Sequence, residues 1–146
     1  MTQKQHVDND IQDQKIVIVA APSLGRGETA NRAAVLATGL ASCHPEIVGP
    51  ALVTADGITW PGFTQIPIAV LMGRDGVTIP DIAMKAQQKG CTTLVYLSRA
   101  QSMQSYQAYA DAVSGLLAHD LDIDAVILYG PKRRVNKITG NLPALR

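Results

Sequence analysis

The sequence predicts a three-layer α/β/α sandwich built on a central mixed sheet. Three observations carry that expectation. A short apolar run rich in β-branched residues occurs at 15–20, which suits a strand buried on both faces, and further strands are read at 92–97 and 123–129. Between them lie stretches with the apolar spacing of helices, closed by Gly or Pro. Strands that alternate with helices pack as a sheet covered by helical layers. A chain of 146 residues is enough for one such domain.

Each element follows in order. Residues 1–14 are rich in Gln, Asp and Asn and lack the apolar core of a secretory leader, so they are expected to form a disordered tail. Residues 15–146 then make up the single domain. Lys15-Ile-Val-Ile-Val-Ala20 is the first strand, and Pro22 with Gly25-Arg-Gly27 breaks the chain after it. A helix is expected from Glu28, with Ala30, Ala33, Ala34, Ala37 and Ala41 as a stripe that allows close approach to a sheet. Ile47 to Val53 and Ile58 to Trp60 flank Ala55-Asp56-Gly57, a strong hairpin signal, so a β-hairpin is expected near residues 47–60.

Gln65 to Leu71 reads as another strand, and Pro67 within it points to an edge or a bulge. Thr78-Ile-Pro-Asp81 has the form of a helix start, Ile79, Ile82, Ala83 and Ala86 supply the buried face, and Gly90 is the stop. Thr92 to Leu97 is the next strand. Ser102 is expected to open a helix that buries Met103, Tyr106, Ala110, Val113 and Leu117. The last strand, Ile123 to Tyr129, runs through Gly130-Pro131 into a basic helix, Lys132 to Thr139, stopped by Gly140.

Composition excludes several classes. With 47% hydrophobic and 17% charged residues the chain is an ordinary globular domain, and no apolar run reaches the ~18 residues of a membrane span. The expected compartment is the cytoplasm. Net charge is +1, but residues 1–14 carry −2 and the remainder +3. Lys132, Arg133, Arg134, Lys137 and Arg146 crowd the last fifteen residues with no acid among them, a local patch far from the balance of a dedicated nucleic-acid binder. Cys43 and Cys91 form no metal or redox spacing and read as small buried fillers. His44 and His119 fall at helix ends without ligand-like partners in sequence, so no metal site and no cofactor are expected. Gly25-Arg-Gly27 lacks the Lys-Ser/Thr of a phosphate loop, and the aromatic residues are too scattered for a base-stacking platform.

Three segments, in order, resemble the type II peptidyl-tRNA hydrolase fold. They are the opening strand with its Gly-containing loop and Ala-rich helix, the run from Gln65 through Gly90-Cys-Thr-Thr-Leu-Val-Tyr96 to Arg99-Ala-Gln101, and Gly130-Pro131 with Val135-Asn-Lys-Ile-Thr-Gly-Asn-Leu142. The chain is still more similar to an uncharacterised bacterial domain-of-unknown-function family of that fold, through Asn31-Arg-Ala-Ala, Thr38-Gly-Leu40, Pro45-Glu-Ile-Val-Gly49 and the added hairpin. The hydrolase activity does not carry over. Where that pattern has Gly-Lys and then Gln, this chain has Glu28 and Arg32, and where it needs Asp and Thr, this chain has Tyr96 and Ala100. A carboxylate in place of an ammonium inverts the charge offered to an RNA phosphate.

In open α/β sheets ligands favour the crevice beyond the carboxyl ends of the strands. Three loops, Pro22 to Glu28, Tyr96 to Ser102 and Tyr129 to Arg134, are expected to meet there. They would gather Arg26, Arg32, Arg99, Gly130, Lys132 and Arg133 as an anion site, aided by backbone N–H groups at the start of the basic helix. The leading expectation is therefore a non-hydrolase that binds a small anionic or phosphate-bearing ligand at the loop end of the sheet. Two alternatives stand beside it. One is a residual hydrolase acting on peptidyl-tRNA or another ester, with Glu28 and the Ser98 hydroxyl as its groups. The other is a homodimeric interaction module that uses the hairpin and helix faces.

Overall fold

The computed structural model describes residues 11–145. The expected tail lies mostly outside the described residues. At its near end Ile11 already packs on the core, and the first strand, β1, spans Gln14–Ala20. The elements that follow are helix α1 (Arg26–Cys43), short strands β2 (Leu52–Val53) and β3 (Thr59–Trp60), strand β4 (Ile68–Met72) and helix α2 (Ile79–Gln88). Then come strand β5 (Thr92–Leu97), helix α3 (Tyr106–Ser114), strand β6 (Ile123–Pro131) and helix α4 (Lys132–Thr139).

The main sheet has the order β4-β1-β6-β5. β1 runs parallel to β4, while β6 is antiparallel to both β1 and β5, so the sheet is mixed as expected. β1 and β6 occupy the centre, which is why they are apolar at consecutive positions from Ile16 to Ala20 and from Ala125 to Tyr129 and do not alternate. Ile16 and Ile18 face one layer with Ile127 and Tyr129, packing on Leu36 and Leu40 of α1. Val17 and Val19 face the other with Val126 and Leu128, packing on Ile82 and Ala86 of α2 and Val135 and Ile138 of α4. The result is the three-layer α/β/α arrangement.

Local chemistry explains most boundaries. Thr78 caps α2 by accepting from the Asp81 N–H at 3.3 Å, and Gly90, at φ 79°, takes the left-handed turn that ends the segment. Pro67 precedes β4, whose position at the sheet edge suits it. The outer edge of β4 is occupied by the following residues of the chain: the Met72 N–H donates to the Pro143 carbonyl at 2.9 Å and Leu145 N–H to Val70 at 3.0 Å.

Three expectations are corrected. The buried stripe of α1 is Thr29, Arg32, Leu36 and Leu40, whereas Ala30 and Ala34 are exposed and Ala33 and Ala41 only flank the core. The helix expected from Ser102 begins three to four residues later, capped by Ser105, whose hydroxyl accepts from Ala108 N–H. It has no fully buried residue, Tyr106 is 84% exposed, and Leu117 lies outside the helix and is largely exposed. An amphipathic pattern made the helix; its place beyond the open side of β5 left that face only partly covered. The hairpin forms as expected, but its paired strands are two residues each, and Pro45–Ile47 is a single 3-10 turn.

Candidate functional site

The register of the sheet decides where the candidate residues meet. Ala20 pairs with Ala125 and Gln14 with Pro131, so the two ends of β6 lie at opposite ends of β1. The expected meeting of three loops is therefore divided. Arg26, Glu28, Arg32, Ser98 and Arg99 belong to the end where β1 finishes. Gly130, Lys132 and Arg133 belong to the other, about 20 Å away along a seven-residue strand.

At the first end two of the three arginines, Arg32 and Arg99, are engaged by carboxylates. Arg32 is buried, and its guanidinium meets Asp124 through Nη2–Oδ2 at 3.0 Å and Nε–Oδ1 at 3.4 Å. The same Nη2 donates to Gln101 Oε1 at 2.9 Å, and the guanidinium lies 4.4 Å over the Tyr96 ring. Burial opposes that charge, but the hydrogen bond and field of Asp124 outweigh it and hold the guanidinium above its ordinary value. Arg99 Nε bonds Asp122 at 2.8 Å, and its backbone N–H adds a second contact at 3.0 Å. Burial alone would raise the Asp122 carboxyl; the bonds from Arg99 and the local backbone win and lower it. Ser98 Oγ donates to Asp124 at 3.0 Å, and Glu28 accepts the Gly25 N–H at 3.0 Å as part of the α1 cap. Arg26 is exposed on the first turn of α1. Arg32 and Asp124 form a buried, neutralised pair, with the partly exposed Arg99–Asp122 pair beside it.

The other end is different. Gly130 is buried and faces Cys91, whose Sγ would stand 3.3 Å from a Cβ placed at Gly130, so its role is close packing. The Lys132 N–H at the start of α4 is taken by the Asp13 carbonyl at 2.9 Å, and the Lys132 side chain lines a different cleft with Gln12 and Gln65. Arg133, however, joins Arg134 and Lys137 of α4 and Lys85 and Lys89 near the end of α2 around a groove of about 500 Å³, floored by Pro131 and Ile138. Among the described residues none of these five cations is within salt-bridge reach of a carboxylate. Lys85 and Lys89 were missed in the sequence because they belong to another helix; the signal was their four-residue spacing beside a Gly stop.

The sequence also gave no warning of a cluster around His44. His44 Nδ1 lies 2.9 Å from Glu46 and Nε2 2.8 Å from the Thr92 hydroxyl, while its ring stacks tilted on Tyr129 at 4.7 Å. These bonds tie the end of α1 to the first residue of β5. Burial raises the Tyr129 phenol above its usual range, and the Glu46 charge adds to the effect. Among the described residues no group of three or more His, Cys, Asp or Glu is placed to hold a metal ion, and no helix is long and apolar enough to cross a membrane.

The comparison with known proteins meets this geometry at the level of the whole domain. The model of a family described as a protein of unknown function, DUF2000, matches residues 14–146. The chain belongs to the DUF2000 family. A solved structure of a protein of unknown function from Agrobacterium tumefaciens strain C58 has the same fold as this DUF2000 chain, with a TM-score of 0.83 at 19% identity. The likeness covers 92% of this chain and 98% of that one. No curated protein matches.

Proposed function

We propose that this DUF2000 domain binds a phosphate-bearing ligand in the basic groove between α2 and α4. The observation that carries the reading is the set of five cations, Lys85, Lys89, Arg133, Arg134 and Lys137, around one groove with no carboxylate paired to any of them among the described residues. Like charges held together repel one another, so an anion placed among them relieves repulsion as well as gaining attraction. The volume, about 500 Å³, lies within the range of small-molecule sites. Two of the arginines expected to bind the anion at the loop end, Arg32 and Arg99, are engaged by Asp124 and Asp122, which favours the groove as the anion's place. The resemblance to the type II peptidyl-tRNA hydrolase fold adds an RNA backbone as a second source of phosphate groups for this site, without the hydrolase's own reactive residues.

Thermal denaturation of the full chain with inorganic pyrophosphate tests the reading. The wild type is stabilised in a dose-dependent way, the shift shrinks as salt rises, and it is lost in Arg134→Glu/Lys137→Glu but kept in Arg99→Ala. No shift in the wild type, or an equal shift in the double variant, overturns it. A short single-stranded RNA run alongside separates a polymer from a small ligand.

A further inference from the structure

The hairpin formed by β2 and β3 stands apart from everything above. Every residue from Ala51 to Trp60 is exposed. Leu52, Val53, Ile58, Trp60 and Phe63 are 49–69% exposed, although they are among the most apolar side chains in the molecule. From Ile47 to Pro67 the only charged residue is Asp56, at the tip. A two-stranded hairpin is marginal by itself in water. This one is nevertheless built with care. The Thr54 hydroxyl bonds Asp56 and receives the Ile58 N–H at 3.0 Å, and Gly57 turns with φ 86°. At the base the Gly49 N–H donates to the Phe63 carbonyl at 2.9 Å, and a side chain at Gly62 would collide with the Gly49 and Pro50 carbonyls. The arm is held at its base, but among the described residues nothing covers its apolar side chains.

Leu52 and Trp60 are cross-strand partners, and Ile58 lies two residues from Trp60, so all three share one face of the arm. Beside the arm's base runs an apolar groove of about 300 Å³, lined by Ala37, Thr38 and Ala41 of α1 with Val48 and Ile68. The small side chains of that helix face let a β-arm approach closely. The three apolar side chains on that face offer roughly 300 Å², whereas a stable interface takes about 800 Å² from each partner. The arm's face therefore supplies over a third of such an interface, and the groove supplies apolar surface beside it that enlarges it. Because arm and groove sit side by side in one chain, a two-fold axis can place each arm on the other copy's groove.

We propose that a second copy of this chain is the occupant: two molecules exchange their 52–60 arms, each seated on the partner's α1 groove. The near absence of charge on both surfaces suits contact with a like surface and not with a polyanion. Trp60 is the chain's only tryptophan, so its fluorescence reports the contact directly. In sedimentation velocity the full chain forms a dimer, and dilution that dissociates it shifts Trp60 emission to the red. Leu52→Lys/Ile58→Lys on the arm, and Thr38→Lys in the groove, each weaken the dimer about tenfold or more, with circular dichroism unchanged. The pyrophosphate response of the basic groove persists in all three forms, which keeps this test separate from that of the ligand. A monomer at high micromolar concentration overturns the proposal, as does a dimer indifferent to the arm variant. Loss with the arm variant but not with Thr38→Lys overturns the groove as its seat.

Discussion

The two ends of the β1–β6 pair carry the same kinds of cation in opposite circumstances. At one end Arg32 and Arg99 are each locked to a carboxylate and held by two or more hydrogen bonds. At the other, Lys85, Lys89, Arg133, Arg134 and Lys137 surround a groove with no such partner among the described residues. A cation that has its counter-charge inside the fold contributes to the fold. One that lacks it keeps its charge available for something outside. The difference separates positions whose loss costs stability from positions whose loss costs binding.

The largest effect should come from breaking the buried pair. Asp124→Ala leaves the Arg32 guanidinium buried without its counter-charge, and urea denaturation should register a loss of about 3–5 kcal/mol. Adding Arg32→Met in the same chain should restore part of that loss, and strict additivity of the two changes would mean that the pair is not coupled. Next comes the groove. Arg134→Glu/Lys137→Glu should weaken pyrophosphate binding at least about tenfold, equivalent to ~1.4 kcal/mol, while altering unfolding free energy by no more than about 0.5 kcal/mol. A large stability loss there would erase the contrast between the two ends.

A smaller effect concerns pH. Asp122 has its carboxyl lowered in the folded state, so its contribution is complete above the unfolded carboxylate value of about 3.9 and is lost as pH falls through the folded value. Both partners are about one-third exposed, and solvent limits the pair to roughly 1 kcal/mol or less. Arg99→Gln should flatten stability against pH below about pH 4 and leave it unaltered near neutrality; superimposable acid limbs would remove Arg99 as the cause. The least perturbing probe is thiol labelling. Cys43, expected to be a buried filler, is instead exposed at the last position of α1, whereas Cys91 is buried with its thiol pushed up by burial, an effect that Arg134 only partly offsets. Cys43 should react about tenfold faster or more with a disulfide reagent, and equal rates would show that the packing of Cys91 against Gly130 is open to solvent.

The fold was legible where burial is two-sided. Ile16 to Ala20 and Ala125 to Tyr129 are apolar at consecutive positions because helices cover both faces of the central strands, and Thr78 and Gly90 announced the limits of α2 through their own hydrogen bonding and φ. Strand direction was not legible. Nothing local to Gly130 says whether β6 runs with or against β1, and that direction alone places Lys132 and Arg133 away from Arg32. The pairing of Arg32 with Asp124 was hidden for a similar reason, since the two lie 92 residues apart and meet only after the sheet is assembled. The partial exposure of α3 was likewise invisible, because an amphipathic repeat specifies a face and not the depth of what it meets.

The central pairing of β1 with β6 also sets a schedule for folding. Ile16 finds Tyr129, and Ala20 finds Ala125, only after more than a hundred residues of intervening chain have been made. Until then β1 has just one available neighbour, the parallel strand β4, and its apolar run from Ile16 to Ala20 keeps a free edge. Such long-range closure is slow, and an unpaired apolar edge is prone to aggregate. Synthesis stalled before residue 123 should thus yield a chain that chaperones hold, with the core closing abruptly once β6 arrives.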